Sequence, residues 1–278
     1  MNKISFLLLL LPLGGTCLGA VVFDLNDVVL DGSAGENTYI ARNSTSAGGL
    51  SYDGGTPSLT YNLNGTNSYS YFVSYFDAQT LAVGDSLELS YAFTPTSTNT
   101  FRNVNETFRV GLYDSKGTQV DSDTDGTGLA GYNDDRGYMG LYSPNATPSS
   151  TTDKFFQRTG SNNLLWSSGT RTVVSGSPTL ESPGTGSVTG LFRITLQSAT
   201  ELLLESQING NTFQSVLDTA GLETTFDSLS FFVISGADDQ SLTFSDMTVT
   251  VIPEPSSLIL VTVAGLFYLL VGFTRRRI

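Results

Sequence analysis

Residues 87–93 read Leu-Glu-Leu-Ser-Tyr-Ala-Phe, and their apolar side chains fall at every second position. This spacing places Leu87, Leu89, Tyr91 and Phe93 on one face of a β-strand and leaves smaller or polar residues on the other. A strand with one apolar and one wet face is typical of an antiparallel sheet that packs on one side. The stretch therefore predicts an all-β fold built from antiparallel strands.

Strand patterns recur on both sides of this stretch. Residues 192–197 alternate in the same way, and the Asn209-Gly210 pair suits a tight hairpin turn. Further on, a bulge at Ser245-Asp246 would keep the apolar residues of 242–251 on one face.

The number of such patterns predicts the architecture. About twelve to fifteen strands fit into residues 21–252, which favours one antiparallel two-sheet sandwich. Two smaller sandwiches divided at Ser175–Gly186 are the alternative. The order of the elements, with an early strand ending in Tyr91-Ala92-Phe93, a strand and turn at Phe108–Gly117 and a closing strand at Leu242–Val251, resembles a concanavalin-like jelly roll. That resemblance implies two curved sheets packed face to face.

The first twenty residues have the pattern of a secretory signal peptide. Lys3 is followed by an apolar run, residues 4–13, that is too short to span a membrane. Small residues then lead to cleavage after Gly19 or Ala20. The segment 1–20 is therefore expected to be removed on export.

The last residues have the pattern of a membrane anchor. Residues 257–274 carry no charge and are long enough for one transmembrane helix. Arginines at 275–277 follow at once, and by the positive-inside rule they stay cytoplasmic while the preceding chain lies outside. Pro253 and Pro255 make the segment before the helix an extended link, because proline continues neither a strand nor a helix.

Together these parts resemble the PEP-CTERM sorting signal of exported proteins. The same type of tail is also called an ice-binding-protein C-terminal domain. The resemblance covers residues 253–278 and implies cleavage and transfer by an exosortase in a Gram-negative-type bacterium that makes exopolysaccharide. It further implies an inner-membrane-anchored precursor that ends at the cell surface or in the extracellular matrix. A permanent single-pass anchor is the alternative. The matching positions are Pro253, Glu254, Pro255, Ser256, Arg275, Arg276 and Arg277.

Composition excludes several kinds of chemistry. The 278 residues carry a net charge of −13, with no histidine and one cysteine, Cys17, which leaves with the signal peptide. Histidine-based catalysis, histidine-bound metals and internal disulfides are therefore excluded. Residues 21–252 retain 9 basic and 25 acidic residues, a net charge of −16. This charge disfavours nucleic acid and anionic membrane surfaces as partners.

One acidic stretch has the pattern of a calcium loop. Asp121, Asp123 and Asp125 alternate before a glycine, as in the first half of an EF-hand loop. The second half of that pattern is absent, and Asp134, or its neighbour Asp135, would have to supply the missing carboxylate. Calcium is thus the one ion expected, with no organic cofactor. A solvated acidic loop between two strands is the alternative.

Aromatic residues suggest a place for sugar rings. Tyr69, Tyr71 and Tyr75 share one face of a predicted strand, and Trp166, the only tryptophan, lies between polar residues. Exposed aromatic faces stack on sugars, so these four residues are the candidate glycan-stacking positions. Core packing of the same rings is the alternative.

A glycan-active enzyme is the least favoured interpretation. Retaining hydrolases need two carboxyls about 5–5.5 Å apart. Glu201 and Glu205 share a strand face, but positions four apart on a strand are about 13 Å from each other. The expected function is structural or adhesive, at the cell surface or in a matrix of exopolysaccharide. A carbohydrate-binding module with a defined glycan site is the alternative, and a glycan-active hydrolase the lesser one.

Overall fold

The computed structural model describes residues 19–30, 35–42, 49–63, 69–97, 100–101, 107–125, 132–160, 165, 168–234 and 240–254. These residues form sixteen β-strands in two eight-stranded sheets. All pairings are antiparallel except one, between the short strand at 124–125 and its neighbour. The predicted all-β, two-sheet antiparallel sandwich is therefore confirmed.

Sheet A has β6 and β16 at its centre. Its strands, in spatial order, are β14 (Gln214–Asp218), β13 (Glu201–Ile208), β12 (Val188–Ser198), β6 (Ser86–Pro95), β16 (Gln240–Ile252), β4 (Ser58–Leu63) and β3 (Gly49–Asp53), with β1 (Ala20–Phe23) also pairing with β16.

Sheet B has β7, β15 and β5 at its centre. Its strands, in spatial order, are β11 (Arg171–Val173), β10 (Phe155–Arg158), β9 (Arg136–Tyr142), β7 (Phe108–Asp114), β15 (Thr225–Ile234), β5 (Tyr69–Thr80), β2 (Thr38–Arg42) and β8 (Thr124–Asp125).

The alternation that predicted β6 is present in the structure. Leu87, Leu89, Tyr91 and Phe93 are at most 1% exposed and face sheet B. The strand is held on both sides, because β12 and β16 pair with it along most of its length. Its neighbour in β12 must be small at Gly190, since a Cβ there would overlap the ring of Tyr91.

Two local predictions can be compared with the structure. The bulge in β16 is confirmed: its pairing with β6 shifts between Phe244 and Asp246, and Met247 beyond it is fully buried. The turn at Asn209-Gly210 also forms, with φ values of 52° and 72°. The hairpin around it is longer than a two-residue loop, because β14 begins only at Gln214 and pairs that residue with Ser206.

Apolar side chains form two clusters. The main core lies between the sheets and takes residues from both sides of Ser175–Gly186, the segment that joins β11 in sheet B to β12 in sheet A. Its centre is aromatic, with Phe231 and Phe244 at a ring-centroid distance of 4.8 Å. A second cluster lies on the outer face of sheet B. Its members are Tyr39, Ala41, Tyr71, Val73, Tyr75, Tyr113, Tyr132, Met139, Leu141, Phe156, Leu165, Phe232 and Ile234.

The predicted signal peptide and sorting tail lie almost wholly outside the described residues. Only Gly19, Ala20, Pro253 and Glu254 are described, and Ala20 pairs with Val251 at the end of β16. In the part of the chain that the structure describes, no helix has the length and apolar character to cross a bilayer.

Candidate functional site

Three of the four aromatic positions predicted for glycan stacking, Tyr69, Tyr71 and Tyr75, are in β5, and the side chains of the last two are buried. Tyr71 and Tyr75 point away from the main core, yet they are only 4% and 5% exposed. The ring of Tyr71 meets Tyr132 edge-on at 5.6 Å, and Tyr75 lies 6.0 Å from Tyr39. Neither ring is open to a ligand here, so their stacking role stays a prediction that requires the loops to move. Trp166 and the side chain of Tyr69 are outside the described residues.

A buried arginine holds these loops on sheet B. Arg158, at the end of β10, is fully buried. Its Nε donates to the carbonyl of Asp135 at 3.0 Å, and its Nη2 to that of Tyr132 at 2.6 Å. Its Nη1 donates to the carbonyl of Leu165 at 2.8 Å and to Thr170 Oγ1 at 3.0 Å. One guanidinium therefore ties two separate loops to the sheet, and burial lowers its pKa.

The carboxyl group beside this arginine has an unusual environment. Asp135 is 1% exposed, and neither of its oxygens accepts a hydrogen bond from the described residues. Burial raises the pKa of Asp135 to about 8; Arg158 opposes the shift, and Asp227, Asp134 and Asp114 add to it. The group is therefore largely protonated at neutral pH. Nothing in the Asp134-Asp135 pair of the sequence indicates which of the two is buried.

The acidic stretch predicted to bind calcium is docked beside β2. Asp123 Oδ1 accepts a hydrogen bond from the amide of Ile40 at 2.8 Å, and Asp134 Oδ2 accepts one from Thr118 Oγ1 at 3.4 Å. Asp121 is exposed, and the side chain of Asp125 is outside the described residues. Within the described part of the chain, no three acidic, histidine or cysteine groups are placed to hold a metal ion. Calcium binding stays a prediction.

An open cleft lies next to this region, which we call the Tyr75 cleft. It has a volume of about 350 Å³ and is lined by Phe23, Asp27, Asn37, Tyr75, Asp77 and Gln119, among others. The carboxylate of Asp77 is exposed and accepts no hydrogen bond from the described residues. Asp27 uses one oxygen for the amide of Asp24 at 2.8 Å.

The remaining polar groups of the Tyr75 cleft have structural roles as well. Asn37 accepts from the amide of Val29 at 2.9 Å and donates to the carbonyl of Asp27 at 2.8 Å, so it fixes the wall of the cleft. The hydroxyl of Tyr75 accepts from the amide of Val120 at 3.1 Å, which places the exposed Gln119 at the rim. Two carboxylates and two primary amides thus line the cleft in front of nearly buried aromatic rings.

A second open cleft, the Arg136 cleft, lies where β9, β10 and β11 meet the loop 219–224. Its volume is about 420 Å³, and its lining includes Arg136, Gln157, Thr159, Thr172 and Glu223. Gln157 Nε2 donates to the carbonyl of Gly221 at 2.6 Å, which holds the loop in place. No pattern in the sequence indicates this cleft, because its lining residues come from four separate segments.

The carboxylates considered for catalysis lie on the open face of sheet A. Glu205 is ion-paired with Arg193 at 2.8 Å. Glu201 accepts a weak hydrogen bond from Ser198 at 3.4 Å. Their contacts are those of surface residues on a strand.

Comparison with known proteins gives likenesses of structure alone. No family model matches the chain, and no curated protein matches it. Among solved structures, peanut lectin is 12% identical, with a TM-score of 0.47 over 84% of this chain and 97% of that one. The Emp46p carbohydrate recognition domain in its potassium-bound form is 12% identical, with a TM-score of 0.46 over 82% and 95%. The metal-free lectin I-B4 of Griffonia simplicifolia is 12% identical, with a TM-score of 0.46 over 84% and 99%. At this level of similarity, a function suggested by the names of these proteins is not assigned to this chain.

Proposed function

We propose that this chain is exported, sorted at the cell surface by an exosortase, and binds extracellular polysaccharide through the Tyr75 cleft. The observation that carries the binding proposal is the chemistry of that cleft, in which the exposed side chains of Asp27, Asp77 and Gln119 converge. The expected structural or adhesive role at the matrix follows from such binding, because a bound polymer links the protein to its surroundings.

The cleft has the groups that a sugar ring needs. Sugar hydroxyls donate hydrogen bonds, and the open carboxylate of Asp77 and the second oxygen of Asp27 are charged acceptors, which make the stronger kind of hydrogen bond. The amide of Gln119 both donates and accepts. The rings of Phe23 and Tyr75 are almost fully buried behind these groups, so recognition rests on the sugar hydroxyls rather than on ring stacking. A few placed polar groups in a largely preformed cleft are typical of small-ligand sites.

The position of the two chain ends supports export and sorting. Ala20 pairs with Val251, so the predicted cleavage point of the signal peptide lies beside the start of the predicted tail. The amide of Glu254 donates to Asp85 Oδ1 at 3.1 Å, which holds the chain against the domain up to the sorting motif. The residues at which the two predicted segments would join the domain therefore lie close together.

Binding is tested with the full chain, in detergent, on a glycan array and by titration calorimetry with the glycans that bind. Asp77→Asn removes the open charge and keeps the shape, and we expect it to weaken binding at least about tenfold, as for one lost charged hydrogen bond. Asp246→Asn, on the outer face of sheet A, is the matched control and should leave affinity unchanged. Weak binding of many glycans, with affinities that Asp77→Asn does not change, would favour a purely structural role.

Sorting is tested by mass spectrometry of the protein recovered from the producing cell. We expect a chain that begins near Ala20 and ends near residues 253–256. An intact tail with arginines 275–277 at the cell surface would instead support the permanent anchor.

A further inference from the structure

We propose that the Arg136 cleft binds the carboxylate of an acidic sugar unit, a uronate, so that the polysaccharide recognised by this protein is a carboxylated one. The inference rests on the proposed function and names the chemical class of its ligand. It is carried by the second cleft, which shares no lining residue with the Tyr75 cleft.

The first step is the charge of Arg136. The exported domain has 25 acidic residues against 9 basic ones, so a basic side chain has many opportunities to pair with a carboxylate. Arg193 illustrates this on sheet A, where it pairs with Glu205 at 2.8 Å and Glu88 at 3.4 Å. Arg136 lines an open cleft and has no carboxylate partner among the described residues. Its positive charge is therefore available to a ligand.

The second step is the orientation of its guanidinium. Arg136 Nη1 donates to the carbonyls of Asp134 and Asp135, each at 2.9 Å, and to that of Gly160 at 3.3 Å. These three bonds fix one corner of the planar group. Nε and Nη2 have no partner within the described residues. Two parallel N–H groups on a fixed plane match the two oxygens of a carboxylate, and such bidentate pairs are stronger and more specific than single contacts.

The third step is the rest of the lining, which suits the hydroxyls of a sugar. Gln157 uses its Nε2 for the carbonyl of Gly221, and its Oε1 accepts no bond from the described residues. The hydroxyls of Thr159 and Thr172 are exposed at the rim and lie 3.4 Å apart. These groups accept from and donate to ring hydroxyls, which an inorganic anion does not have.

The one carboxylate in the lining has donors on both of its oxygens. Glu223 Oε2 pairs with Lys116 Nζ at 2.6 Å, and its Oε1 accepts from the amides of Thr224 and Thr225. Lys116 also pairs with Asp114 at 2.8 Å, so the charge of Glu223 is only partly offset and part of its repulsion of an incoming anion remains. Elsewhere the domain is acidic and repels a densely charged polyanion, so the proposed ligand is a polysaccharide with scattered uronate units, and short oligosaccharides are the appropriate probes.

The test is titration calorimetry of the full chain, in detergent, with a galacturonate trisaccharide and a neutral galactose trisaccharide of the same linkage. We expect the uronate to bind at least about tenfold more tightly, the factor for one charge-assisted bidentate contact. Arg136→Gln should abolish that preference. Arg136→Lys keeps the positive charge but loses the paired N–H groups of the guanidinium, so it should retain a reduced preference for the uronate. Arg193→Gln is the matched control for loss of an arginine and should change neither affinity.

A second variant covers the case in which Arg136→Gln disturbs the fold. Thr172→Glu adds a negative charge at the rim without touching the bonds of Arg136, and we expect it to weaken uronate binding about fivefold or more through like-charge repulsion. Thr172→Gln is its uncharged control: it loses the same hydroxyl contact to both trisaccharides and should keep the preference for the uronate.

The outcomes separate this inference from the proposed function. One outcome would overturn the uronate assignment and leave the proposed function standing. In it the two trisaccharides bind equally, Arg136→Gln and Thr172→Glu do not change their affinity, and Asp77→Asn weakens it. Binding of sodium acetate as tight as that of the uronate would also overturn it, because the cleft would then be a general anion site. Binding of no glycan at all would overturn both.

Discussion

The outer faces of the two sheets differ in polarity and in cover. Sheet A shows solvent a polar face, on which Arg193 lies between Glu88 and Glu205. Sheet B carries a second apolar cluster there, covered by loops and tied down by the buried Arg158. Both open clefts with convergent polar groups border sheet B.

The two arginines give the largest expected difference between the faces. Arg158→Met keeps apolar bulk but leaves three carbonyls and a hydroxyl without their donor, so we expect the free energy of unfolding to fall by about 3–5 kcal/mol. Arg193→Met removes two partly exposed ion pairs on sheet A and should cost at most about 1 kcal/mol. Urea denaturation of both variants measures the difference.

Equal losses for the two arginine variants would contradict the idea that the loops of sheet B depend on one guanidinium. Hydrogen exchange gives an independent readout, since only Arg158→Met should release the amides around Tyr132 and Leu165. Protection unchanged in both loops would show that other contacts hold them.

The same contrast explains what the sequence predicts well. In β6 the solvent-facing side has small or polar residues at every second position, so the period of two is visible and predicts the strand and its buried face. In β15, nine of ten residues are buried because both faces are covered. The alternation of apolar and polar residues then disappears. A run such as 229–234 still predicts a strand, but it does not show that one face of the strand packs in a second cluster.

The candidate site was only partly predictable for a related reason. The sequence marks Tyr71, Tyr75 and the acidic stretch as unusual, and the structure does bring this strand and this loop together, since Tyr75 accepts a hydrogen bond from Val120. It does not mark Arg158 or Arg136. Each of these is a single arginine whose partners are main-chain carbonyls, and carbonyls are present at every position of any sequence.

The next expected effect concerns pH, and it comes from Asp135 under the loops of sheet B. Its pKa is about 8 in the folded protein, above its usual 3.8, so the folded state holds a proton that the unfolded state releases. This contribution to stability is complete at low pH and is lost as the pH rises through about 8. The charged groups that face it are Arg158, Asp114, Asp134 and Asp227.

Asp135→Asn tests this behaviour, because an amide cannot release the proton. We expect the variant to gain about 2 kcal/mol or more relative to the natural protein between pH 5 and pH 8. Glu205→Gln, on the open face of sheet A, is the control for loss of a carboxylate. Parallel stability curves for Asp135→Asn and the natural protein would refute the shift. A thermal-melting series across this pH range provides the measurement.

The smallest expected difference compares two buried tyrosines that face the main core from opposite sheets. Tyr142 of β9 shares a hydrogen bond of 2.7 Å with Ser206, whereas the hydroxyl of Tyr91 in β6 has no partner among the described residues. Tyr142→Phe should therefore cost about 1 kcal/mol, and Tyr91→Phe should be neutral or stabilise by a few tenths, because it removes an unsatisfied polar atom. Chemical denaturation resolves a difference of this size when both variants share one slope. A loss in Tyr91→Phe equal to that in Tyr142→Phe would show that the Tyr91 hydroxyl has a partner, and the core between the sheets would then be fully hydrogen-bonded on both sides.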